Sequence, residues 1–320
     1  MKKAMAYNNN LIAHLRSGNG TPLKPGKKIE AYLFALFVED MRPGAQGIGV
    51  NYGRLGDNLP PPDQVIALYK SNNIQRIRLF DPNPDALKAL QGSGLQVILG
   101  VVNTDLPTLA NDQSAAATWV QVNIIPYAPT VNFRCISLGN ELIPSYLASY
   151  VLPSMQNLKT ALISANLMIP VSTAVFENVL STSYPPSAGH FQVDAAPFMV
   201  PIVQFLEENN YPLLCNVYPY FSYRDDPKNV RLDYALFNTS EGGRGLGDEE
   251  MDTIVNAQMY NNNLIAHVVS SVGTPKRPGK GIETYVFAVF NEDLKPNGSE
   301  QHYGLFYPNL TVVYPVNFCP

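Results

Sequence analysis

The chain has 320 residues, 46% of them hydrophobic and 15% charged, the composition of a globular protein with ample material for a core. A net charge of −4 lacks the basic excess that a sequence-independent nucleic-acid binder carries. No run approaches the ~18 consecutive apolar residues that a membrane-spanning helix needs.

The first feature in chain order is one half of a duplication. Residues 7–43 (YNNNLIAHLRSGNGTPLKPGKKIEAYLFALFVEDMRP) return at 260–296 (YNNNLIAHVVSSVGTPKRPGKGIETYVFAVFNEDLKP), with 24 of 37 positions identical and no gap. Two copies this far apart do not make a repeat array. The C-terminal copy continues into a plausible domain ending, whereas the N-terminal copy runs abruptly into Gly47-Ile48-Gly49-Val50-Asn51-Tyr52-Gly53. Two readings stay open. Residues 1–46 are the tail of one gene copy fused to the start of the next, leaving a single domain over 47–320, or 29–38 is a genuine extra strand. No signal peptide begins at residue 1, because Lys2 and Lys3 are followed by a polar stretch. Ala31 to Val38 is long enough for the apolar part of one, but Glu30 and Glu39 bracket it and it reads as a buried strand.

From residue 47 the chain alternates. Short apolar or β-branched runs at 47–53, 74–81, 95–101, 133–140, 170–176 and 212–219 read as buried strands, with another at 282–291. Helical periodicity fills 62–70, 85–91, 114–124, 147–165, 196–209 and 252–270. Near-continuously apolar strands, each followed by a helix, predict a parallel sheet covered by helices. Their spacing favours a (β/α)8 TIM barrel over a doubly wound sheet, which would want a glycine-rich phosphate loop that is absent here. The rhythm fails between 222 and 251, where no strand can be found. The ring is therefore expected to lack one strand and an adjacent helix, unless the N-terminal copy at 29–38 fills it.

Cys135, Cys215 and Cys319 lack metal-ligand spacing and read as buried or incidental thiols. The four histidines are scattered, without a Ser–His–acid order or a ligand pair. In this fold, active residues gather at the C-terminal ends of the strands. Those ends carry Asn51 and Tyr52, Arg78 and Asp81, Asn140 and Glu141, Asn216, Tyr218 and Tyr220, and Glu292. Amides bond to hydroxyls, aromatic faces stack on sugar rings and paired carboxyls cleave glycosidic bonds, so this rim suits carbohydrate. The apolar run ending in Asn140-Glu141 suggests a general acid with a neighbouring amide; an ordinary strand-end glutamate is the alternative.

Six segments make a resemblance specific. GIGVNYGRLGDNLPPPDQVIALYKSNNIQRIRLFDP (47–82), ISLGNELIP (136–144), VSTAVF (171–176), TSYPPSAGHF (182–191), PLLCNVYPYFSY (212–223) and YVFAVFNEDLKPNGSEQHYGLFYPN (285–309) resemble, in order, the plant endo-1,3-β-glucanases of glycoside hydrolase family 17. The resemblance implies a barrel with a long open cleft, and retaining hydrolysis of β-1,3-glucan by two glutamates, without a cofactor. It puts the general acid on Glu141 and the family's Asn-Tyr-Gly motif on Asn51, Tyr52 and Gly53. It puts supporting roles on Glu292, Lys295 and Glu300; the rim residues Asn140, Asn216, Tyr218, Tyr220 and Phe221 are the expected substrate contacts. It also implies secretion to the cell wall or vacuole, with which sequons at Asn238, Asn297 and Asn309 are compatible, and a monomer that binds glucan rather than nucleic acid.

One departure matters. The family's nucleophile sits on the seventh strand, before a Ser-Glu-(Ser/Thr)-Gly-Trp-Pro motif that this chain lacks. The nearest remnant is Ser240-Glu241-Gly242-Gly243, without the strand, the Trp or the Pro, which makes Glu241 a weak nucleophile candidate. Three readings follow: an endo-1,3-β-glucanase, a catalytically dead β-1,3-glucan-binding protein, or a misassembled chain whose missing strand leaves unpaired edges.

Overall fold

Local signals set the elements that frame the site. In the computed structural model, residues 20–21, 24–25, 48–183, 188–237, 253–270, 273–274, 277–279 and 283–318 are described. The N-terminal strand expected at 29–38, Glu241 and Cys319 lie outside them, as do residues 238–251 of the interval in which no strand could be found.

Strand β1 (Ile48–Tyr52) leads into helix α1 (Pro62–Ser71), which starts with proline where its missing N–H costs nothing. Strand β2 (Arg76–Leu79) precedes α2 (Pro84–Leu90), capped by the Asn83 side chain accepting from the Ala86 N–H at 2.8 Å. Strand β3 (Gln96–Val101) is followed by α3 (Leu106–Asn111) and α4 (Gln113–Asn123), the latter capped by Asp112. Strand β4 (Asn132–Asn140), α5 (Ala148–Ser164), β5 (Val171–Phe176) and α6 (Ala196–Asn209) complete the regular part. Asn210 closes α6 in the left-handed region, at φ 54°, a conformation that asparagine tolerates. Next come β6 (Leu214–Asn216), α7 (Pro219–Asp225), α8 (Leu232–Ala235), α9 (Ile254–Val269) and β7 (Thr284–Val286).

The sheet has seven strands in the order β6-β5-β4-β3-β2-β1-β7, and every neighbouring pair is parallel. It curls as an open part of a barrel, the parallel helix-covered sheet that the sequence predicts; among the described residues, β6 and β7 have no strand between them. Alternation along each strand separates two interiors. Outward residues such as Val50, Ile77, Leu79, Val97 and Leu99 join Val65, Leu87 and Leu158 of the helices in the main core. Inward residues form a narrower cluster of Ile98, Cys135, Ala174, Leu214 and Tyr285. Cys135 and Cys215 are free, buried thiols, as expected.

Below that cluster the lumen is ionic. Glu283, 2% exposed, accepts from Arg134 Nη2 at 2.8 Å and Nε at 3.0 Å. The Tyr285 hydroxyl donates to Glu283 at 2.8 Å, and Arg76 lies 3.9 Å away while its Nε donates to Gln96 at 2.7 Å. These contacts run from β2 and β4 across the lumen and hold β7 to the far wall.

Two sequence expectations shift. The strand expected at 212–219 shortens to Leu214–Asn216, and the chain from Pro219 turns into α7, so Tyr220 and Phe221 ride on a helix rather than a strand end. The strand expected at 282–291 is regular only over Thr284–Val286.

Candidate active site

The C-terminal rim of the sheet opens into a cleft of about 580 Å³. Strand β4 delivers Glu141 there through a sharp turn, with Gly139 at φ 74° and Glu141 itself at φ 57°. The Glu141 N–H donates to the Ala174 carbonyl on β5 at 2.8 Å, which fixes the backbone of this strained residue. Its carboxylate is equally fixed. Oε1 accepts from Asn216 Nδ2 at 2.6 Å and from the Tyr218 hydroxyl at 2.8 Å, two donors placed by β6 and the residues after it. Burial and the nearby Glu141 carboxylate push the Tyr218 phenol far above its usual range, so it stays a donor.

Behind this carboxylate lies Arg78, fully inside the lumen at the end of β2. It donates to Asn140 Oδ1 at 2.8 Å and Asn216 Oδ1 at 3.0 Å, with its guanidinium 4.7 Å from the Phe80 ring centroid. Burial lowers its pKa, opposed by Tyr218 and Glu141. Asn216 Nδ2 also reaches Asn140 Oδ1 at 3.0 Å, so the arginine, two amides, tyrosine and carboxylate form one connected network.

The opposite wall comes from β1 and the chain after β7. Asn51 and Tyr52 line the cleft, and the Asn51 Oδ1 is buried without a protein hydrogen-bond partner among the described residues. Glu292, 2% exposed, accepts from the Leu55 N–H at 2.8 Å and pairs with Lys295 at 3.0 Å. Gly53 makes that approach possible, because a Cβ there would lie 2.3 Å from the Glu292 carboxylate. Lys295 also sits 4.1 Å from the Phe287 ring centroid. Farther along, Arg54 pairs with Asp81.

The structure thus brings Asn140, Glu141, Asn216 and Tyr218 into direct contact, and sets Asn51, Tyr52, Glu292 and Lys295 on the facing wall. Tyr220 and Phe221 are not cleft-lining. They extend an aromatic row outward from Tyr218, with Phe221 stacked on Tyr218 at 5.4 Å and Tyr220 at 5.3 Å from Phe221. Glu300 lies in a turn at Ser299–Gln301 and acts on the Tyr218 phenol through its field. The residue that sequence reading under-weighted is Arg78. Two arginines at alternate positions of a buried strand, Arg76 and Arg78, were the available signal for a polar lumen.

Among the described residues no group of three or more His, Cys, Asp or Glu side chains could hold a metal ion. The model for glycosyl hydrolases family 17 matches residues 1–46, 48–251 and 240–318. A glucan endo-1,3-beta-glucosidase from Vitis vinifera is 46% identical over 321 residues, spanning 86% of this chain and 92% of that one. The solved structure of CJP38, a beta-1,3-glucanase and allergen of Cryptomeria japonica pollen, superimposes with a TM-score of 0.80 at 42% identity, covering 85% of this chain and 99% of that one. One of two plant beta-glucan endohydrolases with distinct substrate specificities gives 0.78 at 40% identity, over 84% of this chain and all of that one. A family match that spans nearly the whole chain, with relatives more than 40% identical over most of its length, shows that the chain belongs to glycosyl hydrolase family 17.

Proposed function

We propose that this chain is an endo-hydrolase of β-1,3-glucan in which Glu141 is the general acid. The observation that supports this reading is the doubly held Glu141 carboxylate at the cleft, with Asn216 and Tyr218 bonded to one oxygen; the acid's proton passes from the other to the departing glycosidic oxygen. Protonation of that oxygen releases the aglycone side of the glucan while a carboxylate on the opposite face attacks the anomeric carbon. Retention requires the two carboxyls roughly 5–5.5 Å apart. Glu241 is the nucleophile candidate. Asn51, Tyr52, Asn140, Glu292, Lys295 and Glu300 bind the sugar or support the attacking group, and Tyr220 and Phe221 carry the glucan chain beyond the cleft. The enzyme acts outside the cytoplasm, in cell wall or vacuole, as a monomer without a cofactor. Residues 1–46 are an added copy of the last helix–strand segment on a single barrel domain.

Release of reducing ends from linear β-1,3-glucan tests the reading. Glu141→Gln is expected to lower kcat by roughly 10²–10⁴-fold, the usual weight of general acid–base catalysis, while oligosaccharide affinity measured by titration calorimetry stays within a few-fold. Folded wild-type protein that neither turns over nor binds the glucan overturns it.

A second reading is favoured by one observation, the absence of a strand between β6 and β7 among the described residues. A glucanase-like cleft without its nucleophile strand binds glucan and releases it intact. Binding by wild-type protein with no reducing ends formed selects that reading.

A further inference from the structure

The sequons at Asn238, Asn297 and Asn309 are a motif that the cleft does not use. Asn238 lies outside the described residues, and the other two differ in their surroundings. Asn297 is exposed in the loop between Lys295, which lines the cleft, and Glu300. The hydroxyl of its partner Ser299 is already bonded to the Tyr303 phenol. A bulky group on Asn297 would crowd the rim.

Asn309 sits at the tip of a tight hairpin, and none of residues 305–313 lines the cleft. Phe306 bridges Val312 in antiparallel fashion, the Tyr307 N–H donates to the Thr311 carbonyl at 2.8 Å, and the Val313 N–H donates to the Leu305 carbonyl at 2.9 Å. Pro308 and Asn309 form the corner, closed by the Leu310 N–H donating to the Tyr307 carbonyl at 2.9 Å. Leu310 follows at φ 70°, the left-handed residue that three-residue hairpin loops require.

This corner holds the asparagine amide in one orientation. Asn309 Oδ1 accepts from the Thr311 N–H at 3.0 Å and from the Thr311 hydroxyl at 2.6 Å. Its Nδ2 has no hydrogen-bond partner among the described residues, on an exposed side chain. Tyr307, directly opposite Thr311 in the hairpin, is 41% exposed while the neighbouring Phe306 is buried. Alternation therefore puts the Tyr307 ring on the outer face, together with the exposed Thr311.

We propose that Asn309 is an N-glycan attachment site and that the Tyr307 ring is the platform for its first N-acetylglucosamine. The donor is an oligosaccharide carried on a polyprenyl diphosphate. Asn309 Nδ2 loses one proton and bonds to C1 of the sugar, and the diphosphate leaves with the C1–O bonding pair. The C–H face of that sugar then lies on the Tyr307 ring, covering apolar surface that the hairpin leaves in water. The inference rests on export of the chain and is independent of whether the cleft hydrolyses glucan.

The test directs the full chain into the secretory pathway of a eukaryotic cell behind a cleavable leader, so that its result is separate from where the chain resides naturally. Glycopeptide mass spectrometry is expected to find Asn309 occupied in most molecules. The same sequence made without glycan in a bacterial cytosol is expected to melt about 2–4 °C lower. Trimming the glycan to its core N-acetylglucosamine should keep the higher value. In Tyr307→Ser the glycosylated and bare forms are expected to melt together. Folded protein from the secretory pathway with Asn309 bare, or with glycan only at Asn238 or Asn297, overturns the proposal. So does a melt that is insensitive to the glycan, or a difference that survives Tyr307→Ser. If Tyr307→Ser does not fold, proton shifts of the core sugar in the wild type decide: upfield displacement by the ring supports the platform, and unshifted protons overturn it.

Discussion

At the scale of single residues, the site is organised by what an arginine cannot do. A guanidinium only donates, so whatever faces it must present oxygen. Arg78 takes the side-chain oxygens of both Asn140 and Asn216, and this turns the Asn216 amide nitrogen toward Glu141. Without Arg78, Asn216 can flip and present its oxygen to the carboxylate, replacing an attraction by a repulsion. Arg78→Met is therefore expected to lower kcat about 10- to 100-fold with a much smaller change in KM, the signature of a lost transition-state interaction. It also takes the arginine donor from the Asn216 amide oxygen, at a cost of about 1–3 kcal/mol, while Asn140 Oδ1 can keep the Asn216 amide as a donor. A variant that keeps wild-type kcat would show that Arg78 only fills space.

At the scale of elements, strand positions were legible and lumen chemistry was not. Runs such as 95–101 and 170–176 were readable because strands covered on both faces are apolar throughout, and β3 and β5 fall inside them. The 212–219 run misled because Pro219 looks like the end of an apolar strand, while in the fold it starts α7 at the position where helices prefer proline. Glu141 was found through its place after a buried strand. Its partners Asn216 and Tyr218 lie some 75 residues away, a closeness that only the curled sheet creates. The ion pairs under the site were invisible for the same reason, because Glu283 meets Arg134 across the lumen. They give β7 its second anchor, since β1 is its only strand partner among the described residues. Glu283→Gln removes the buried carboxylate that Arg134 and the Tyr285 hydroxyl meet in the lumen. Breaking one partner of a buried pair typically costs about 3–5 kcal/mol, and part of that is expected here because Arg134 retains some contact with water. Local loosening should precede global unfolding: in native-state hydrogen exchange, Thr284–Val286 is expected to lose protection first, while β3 and β4 keep theirs. Uniform loss across the sheet would argue that β7 is not a separately held element.

At the scale of the whole molecule, the lumen makes stability depend on pH at the alkaline end. Burial pushes the Cys135 and Cys215 thiols from an ordinary 9.0 up to about 12, with Glu283 acting on the first and Glu177 and Glu141 on the second. Burial also raises the phenols of Tyr69, Tyr218 and Tyr285, the last two beside carboxylates. All of these groups stay protonated in the folded chain at a pH where the unfolded chain has begun to release its protons. The folded state then binds more protons than the unfolded one, and stability falls as pH rises. For the thiols the fall begins near 9 and ends near 12, with a slope approaching about 1.4 kcal/mol per pH unit for each group fully engaged. Below 9 these groups contribute no slope, because both states hold their protons. Urea unfolding followed by circular dichroism should give a flat midpoint from pH 7 to 8.5 and a steady decline between 9.5 and 11. Cys135→Ala removes the most enclosed thiol. It is expected to lower stability at pH 8 and to make the decline shallower, so that the two curves converge as pH rises. Parallel curves would mean that the alkaline loss comes from the phenols rather than from the thiols inside the barrel.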